Sequence, residues 1–144
     1  MIMDDLLIRM MHWAQEGHNC SQILLLLALE ERGQSNPDLV RAVGGLAYGC
    51  GTGHATCGTL TGGCCLLAFL SSSDDQPATE ELPVMLQELS DWFDARIGPA
   101  QGGVTCDAIV GEAGPDASRQ TCGALISETY AKVMEILAEH GVDG

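Results

Sequence analysis

Apolar residues recur along most of this chain at spacings of three and four, the period of a helix buried on one face. No segment carries a convincing strand pattern. The first helical segment covers about residues 3–16, with Ile2, Leu6, Met10 and Trp13 on one face, and stops at Gly17. A second runs from Cys20 to about Arg32, with Asn19 as its cap and Gly33 as its end. Asn36-Pro37, a cap followed by proline in the first helical position, opens a third that reaches about Tyr48. The glycine-laden stretch GCGTGHATCG, residues 49–58, reads as a loop. Thr56 can then cap a fourth helix from Cys57 to about Ser71.

The connector SSSDDQPAT leads to a fifth helix over about 79–96, with Pro83 in its first turns and Gly98-Pro99 as its stop. QGG at 101–103 is a turn. Thr105 can cap a short helix, Cys106–Val110, and GEAGPD is another loop. The last helix covers about 117–140 and ends at Gly141. Short loops between such segments predict an all-α chain, a single-domain irregular bundle of six to seven helices spanning residues 1–144.

Composition narrows what such a bundle can do. Hydrophobic residues are 46% of the 144 and aromatics only 4%, so the core is aliphatic. The net charge is −14, with Lys132 as the one lysine. Binding nucleic acid requires a basic patch to neutralise phosphates, and none is visible, so that class is excluded. The acidic surface suits solubility or a basic protein partner. The longest apolar runs, Ile23–Leu29 and Cys64–Leu70, fall well short of the ~18 residues of a membrane span. Asp4 and Asp5 stand where a secretion signal would be basic. The expected location is cytoplasmic, where thiols stay reduced.

Seven cysteines in a reducing compartment, widely spaced and odd in number, point away from a disulfide framework. They leave metal or cluster ligation, redox chemistry, or burial. Cys20, Cys57 and Cys106 fall at predicted helix starts, and Cys122 in the first turns of the last helix. Helix N-termini carry unpaired N–H groups and partial positive charge. Both favour a thiolate, the form that binds metal or attacks a disulfide. Cys122 shares a stripe with Ile126, Tyr130, Val133 and Leu137; Cys20 shares one with Leu24 and Leu27, and Cys57 with Leu60 and Leu67. These four helix starts are expected to converge on one partly buried sulfur site. Cys64 and Cys65 lie inside a helix and read as core packing.

Cys50-x3-His54-x2-Cys57 is a local group of ligand-type residues on a loop, so Cys50 and His54 are candidate additional ligands. No CxxC pair occurs, and the spacing is not a zinc signature. His12, His18 and His140 read as surface or cap residues, with His18 close enough in sequence to tune Cys20. The glycine-rich loop lacks the order of a phosphate-binding loop. No nucleophile–base pair, Glu-x-x-His pair or CxxCH is present, so no catalytic residue is assigned.

The segments NCSQ (19–22), CGTLTGG (57–63), VTCDAIVG (104–111) and TCGALI (121–126), with the glycine-rich GGLAYGCGTGHAT (44–56) before the second cysteine, resemble the C_GCAxxG_C_C family of redox-active proteins. The resemblance covers about residues 18–126 and places the family's four signature cysteines on Cys20, Cys57, Cys106 and Cys122. One departure is Thr59, where the family has alanine after Cys-Gly; the three extra cysteines are another. The domain is also similar to one in split-Soret cytochromes that holds a [2Fe–2S] cluster through cysteines, though the haem part has no counterpart here. The resemblance therefore implies an iron–sulfur centre, preferably [2Fe–2S], on all four cysteines or three of them. Cys50, His54 or solvent could take the remaining position. Its role would be electron transfer or redox sensing with a protein partner, and a homodimer is compatible with it. Two alternatives stay open: metal-free thiol–disulfide chemistry on the same cysteines, and a zinc-stabilised or plain helical interaction domain.

Overall fold

The computed structural model of the chain describes the backbone of residues 2–77, 79–101, 103–110 and 115–142, and the side chains of 5–77, 79–97, 103–109 and 122–142. The helical period is realised as seven α-helices: α1 (Ile2–Gln15), α2 (Cys20–Glu31), α3 (Pro37–Val43), α4 (Gly58–Ser71), α5 (Leu82–Gln101), α6 (Cys106–Val110) and α7 (Pro115–Glu139). The described residues contain no strand, only a single antiparallel bridge between Thr56 and Thr105. The Ile2 side chain and the 111–114 part of the GEAGPD loop lie outside the described residues.

α4 is the central helix, packed against α2, α5 and α7. Its Leu66 and Leu67 are fully buried among Leu24, Leu25 and Leu27 of α2, Met85, Leu89 and Phe93 of α5, and Val133, Ile136 and Leu137 of α7. α2 is apolar on nearly every side, as a helix enclosed by neighbours should be; residues from Ile23 to Leu29, save Leu26, are buried. α1 covers one flank of α2 with Leu6 and Met10. Arg9 and Trp13 fasten it: Arg9 Nη2 donates to the Leu27 carbonyl at 2.8 Å and Trp13 Nε1 to Glu30 Oε1 at 2.8 Å.

The predicted caps Asn19 and Asn36 are both in place, and Thr105 Oγ1 accepts from Ala108 N–H at 3.1 Å. Three expectations are corrected. The third helix stops at Val43 rather than Tyr48, because Gly44-Gly45 hold a helix poorly; a 3₁₀ turn (Gly44–Leu46) and a short turn (Ala47–Cys50) follow. Thr56 does not cap α4: Cys57 occupies the cap position with no side-chain hydrogen bond, while Thr56 is engaged in the bridge. The fifth helix starts at Leu82 and runs through Gly98-Pro99 to Gln101, since a proline near a helix end forfeits only one rung of the ladder.

Candidate cysteine centre

Cys20 is positioned by the residues around it in NCSQ. Asn19 Oδ1 accepts from Gln22 N–H at 3.3 Å, and Gln22 Oε1 accepts from Asn19 N–H at 3.2 Å, a reciprocal capping box. Ser21 Oγ donates to the Val43 carbonyl at 2.7 Å, and Gln22 Nε2 to that of Val40 at 3.1 Å. The start of α2 is thereby locked to the end of α3, with carbonyls that α3 cannot satisfy itself.

Glycines set how closely α4 approaches this corner. A Cβ on Gly58 would stand 2.8 Å from the Leu46 carbonyl oxygen and 3.0 Å from Cys20 Sγ; one on Gly62 would stand 2.9 Å from Ser21 Cα. Only glycine admits such contact. The Cys20 sulfur consequently lies over the first turn of α4, next to Cys57. A strap of backbone bonds then adds Cys106: Cys57 N–H donates to the Val104 carbonyl at 2.8 Å, and Cys106 N–H to that of Ala55 at 3.1 Å. Between these parts Tyr48, Gly49, Cys50 and Gly51 all have positive φ, at 57°, 59°, 55° and 82°. Left-handed backbone at non-glycine residues costs on the order of 1 kcal/mol each, and such strain is retained where surrounding contacts impose it.

Cys20, Cys57, Cys106 and Cys122 all line one cavity of 940 Å³, with Met10, Ile23, Ile109 and Ile126 among its apolar walls. Among the described residues, no Asp, Glu, Lys or Arg lines it. Cys57 is buried and the other three are half-buried. Cys50 is exposed and does not line the cavity. Nor does His54, whose Nδ1 lies 3.1 Å from Asp107 Oδ2 on the surface. Cys64 and Cys65 sit half-buried against the core, apart from the four. His18 is at the cavity's edge, with Nδ1 3.3 Å from the Trp13 carbonyl. His140 is more than a surface residue: it lies 3.0 Å from Glu88 and 3.3 Å from Glu81.

Electrostatics at the cysteines run opposite to the helix-terminus expectation. Burial pushes the Cys20 thiol up, and the Cys57 sulfur adds to it; the Thr59 hydroxyl and the Ser21 and Tyr48 N–H groups pull only partly back. Cys106 is raised by burial, then by Cys57, Cys20 and Asp107. Cys122 is raised to about 11 by burial and then by Cys20, Cys57 and Cys106. Desolvation and the mutual repulsion of nearby thiolates outweigh the dipole. For Cys122 the dipole hardly applies, since α7 begins at Pro115 and the effect fades within a turn. Loading such a site with a cation would relieve the repulsion and release protons. Among the described residues, no three Cys, His, Asp or Glu side chains close around one point as a single metal ion requires.

Sequence reasoning found the four cysteines but passed over the residues that assemble them: Ser21, Gln22, Gly58, Gly62 and the left-handed turn. Their signal was present in the four-residue spacing of Gly58 and Gly62, which puts both on one face of α4.

Four cysteines from four separate helices thus line one cavity of an all-helical chain. The family model described as "Putative redox-active protein (C_GCAxxG_C_C)" matches residues 18–136, and the chain belongs to that family. No curated protein and no solved structure matches it. Among the described residues no helix is long and apolar enough to cross a membrane.

Proposed function

We propose that the chain is an electron-transfer or redox-sensing protein that binds a [2Fe–2S] cluster through Cys20, Cys57, Cys106 and Cys122. The observation that carries this reading is the shared cavity: four soft sulfur donors from distant segments line one space. The donor set fits the group. In a Cys₄ [2Fe–2S] centre each iron takes two protein thiolates, the number and kind of donor that line the cavity. When bound, the cluster supplies one-electron chemistry. The chain's own part is to hold the sulfurs on separate helices, direct the Ser21 and Tyr48 N–H groups at Cys20, and wall the site with aliphatic side chains. In a cytoplasmic setting the −14 charge would serve docking to a basic protein redox partner.

Iron and acid-labile sulfide measured on protein purified without oxygen test this directly. The expected result is about two of each per chain with a brown chromophore. Colourless protein free of iron and sulfide would overturn it. The contact of the Cys20 sulfur with the first turn of α4 favours one second reading, reversible Cys20–Cys57 disulfide formation. Its signature is loss of two thiols per chain on mild oxidation, restored by reductant.

A further inference from the structure

Thr59, the second residue of α4, is fully buried. Its hydroxyl is a buried polar atom with no hydrogen-bond partner among the described residues. The contrast is Thr61, two residues on, whose hydroxyl turns back to the Cys57 carbonyl at 3.4 Å, the usual solution for threonine in a helix. Thr59 takes no such bond, and a buried hydroxyl left unpaired costs free energy and calls for an explanation; Ser71, Ser127, Thr129 and Tyr130 share that state. Cys20 Sγ packs against the same turn of α4, and the Thr59 hydroxyl is among the groups that favour its charged form. That sulfur is fixed close by, 3.0 Å from where a Gly58 Cβ would stand. A neutral thiol is a weak acceptor, whereas a charged sulfur is a strong one.

We propose that Thr59 is a positioning residue, its hydroxyl a donor reserved for the Cys20 sulfur and engaged when that sulfur carries negative charge as a ligand or as a thiolate. The inference rests on the reading of Cys20 as part of the redox centre. A donor aimed at sulfur stabilises the reduced, more negative state and so raises the midpoint potential.

The test uses the full chain with Thr59→Val, which keeps the shape and removes the hydroxyl, and Thr59→Ser, which keeps the hydroxyl. In reduced, metal-free protein Thr59→Val should unfold at the wild-type temperature or above it, because the hydroxyl it removes has no partner there. In the redox-competent protein Thr59→Val should shift the couple about tenfold toward the oxidised form. That equals a fall of about 59 mV for a one-electron couple or about 30 mV for a two-electron one. Thr59→Ser should restore the wild-type value. A Thr59→Val protein that unfolds several degrees lower when metal-free would show a structural role and overturn the proposal. So would an unchanged midpoint in Thr59→Val beside a measurable wild-type couple, which would leave the redox reading standing. A wild-type chain with neither cluster nor reversible thiol oxidation would remove both.

Discussion

The two halves of α4 are one continuous helix built for opposite purposes. Its first half, Gly58 to Gly63, carries small residues and admits other parts of the chain to near-contact distance. Its second half presents Leu66, Leu67 and Leu70 to a dry aliphatic core. Cysteines occur on both sides of the divide. Cys57 caps the helix beside Cys20 and Cys106, whereas Cys64 and Cys65 lie where the chain is already filled with side chains. A cysteine's role here is decided by what its neighbours leave empty. The cavity end has room, orphaned polarity and strained backbone; the core end has none of the room.

The comparison can be broken at its strong end first. Leu67→Ala should cost about 2–5 kcal/mol, the range for a large-to-small change at a closed core site, read as a lower denaturant midpoint. The folded fraction should keep the redox behaviour of the parent, since Leu67 does not line the cavity. Gly58→Ala works in the other half. The added methyl meets the Leu46 carbonyl and the Cys20 sulfur, so about 1–3 kcal/mol of overpacking strain is expected, and here the redox centre should be perturbed along with stability. Asn19→Ala removes one side of the capping box and should cost about 1 kcal/mol. Its local effect, faster amide exchange at the start of α2, sharpens the claim that this cap holds Cys20 in place.

A smaller effect separates the far end of the bundle from the site. The hydrogen bond that the His140 imidazole donates to Glu88 holds it above its ordinary value of 6.5, aided by Glu81. Because the folded protein favours the protonated form, this contribution is complete below about pH 6.5 and disappears as pH rises through the raised folded value. The difference in melting temperature between wild type and His140→Ala should therefore be larger near pH 5.5 than at alkaline pH, where the imidazole is neutral in both states. The redox centre, at the other end of α7, should not respond.

Much of the core was legible in the chain, and it is instructive where legibility stopped. Stripes such as Tyr130, Val133 and Leu137 need only the helical period to be read, and Asn19, Asn36 and Thr105 announce their caps by residue type. Tyr48 could not be read: an isolated aromatic after Leu46 and Ala47 looks helical, and its left-handed conformation comes from packing of the turn against Ala55 and Cys106. Gly98-Pro99 looked like a stop because local propensity says so, yet α5 continues through it. At the site, Cys20, Cys57, Cys106 and Cys122 could be named from placement and resemblance. The direction of the Cys20, Cys106 and Cys122 thiol shifts could not, because desolvation and mutual repulsion exist only once the four are gathered. Thr59 looked like a small departure from a motif; its unpaired hydroxyl became visible only with its surroundings in place.

The central claim is that four cysteines form one redox centre and that the remaining three lie outside it. The most direct measurement is the redox centre per chain, counted as iron with sulfide or as reversibly oxidised thiols, in Cys122→Ser beside a Cys64→Ala/Cys65→Ala double variant. The centre should be lost or altered in Cys122→Ser and intact in the double variant. A full wild-type centre in Cys122→Ser, or its loss in the double variant, would contradict it.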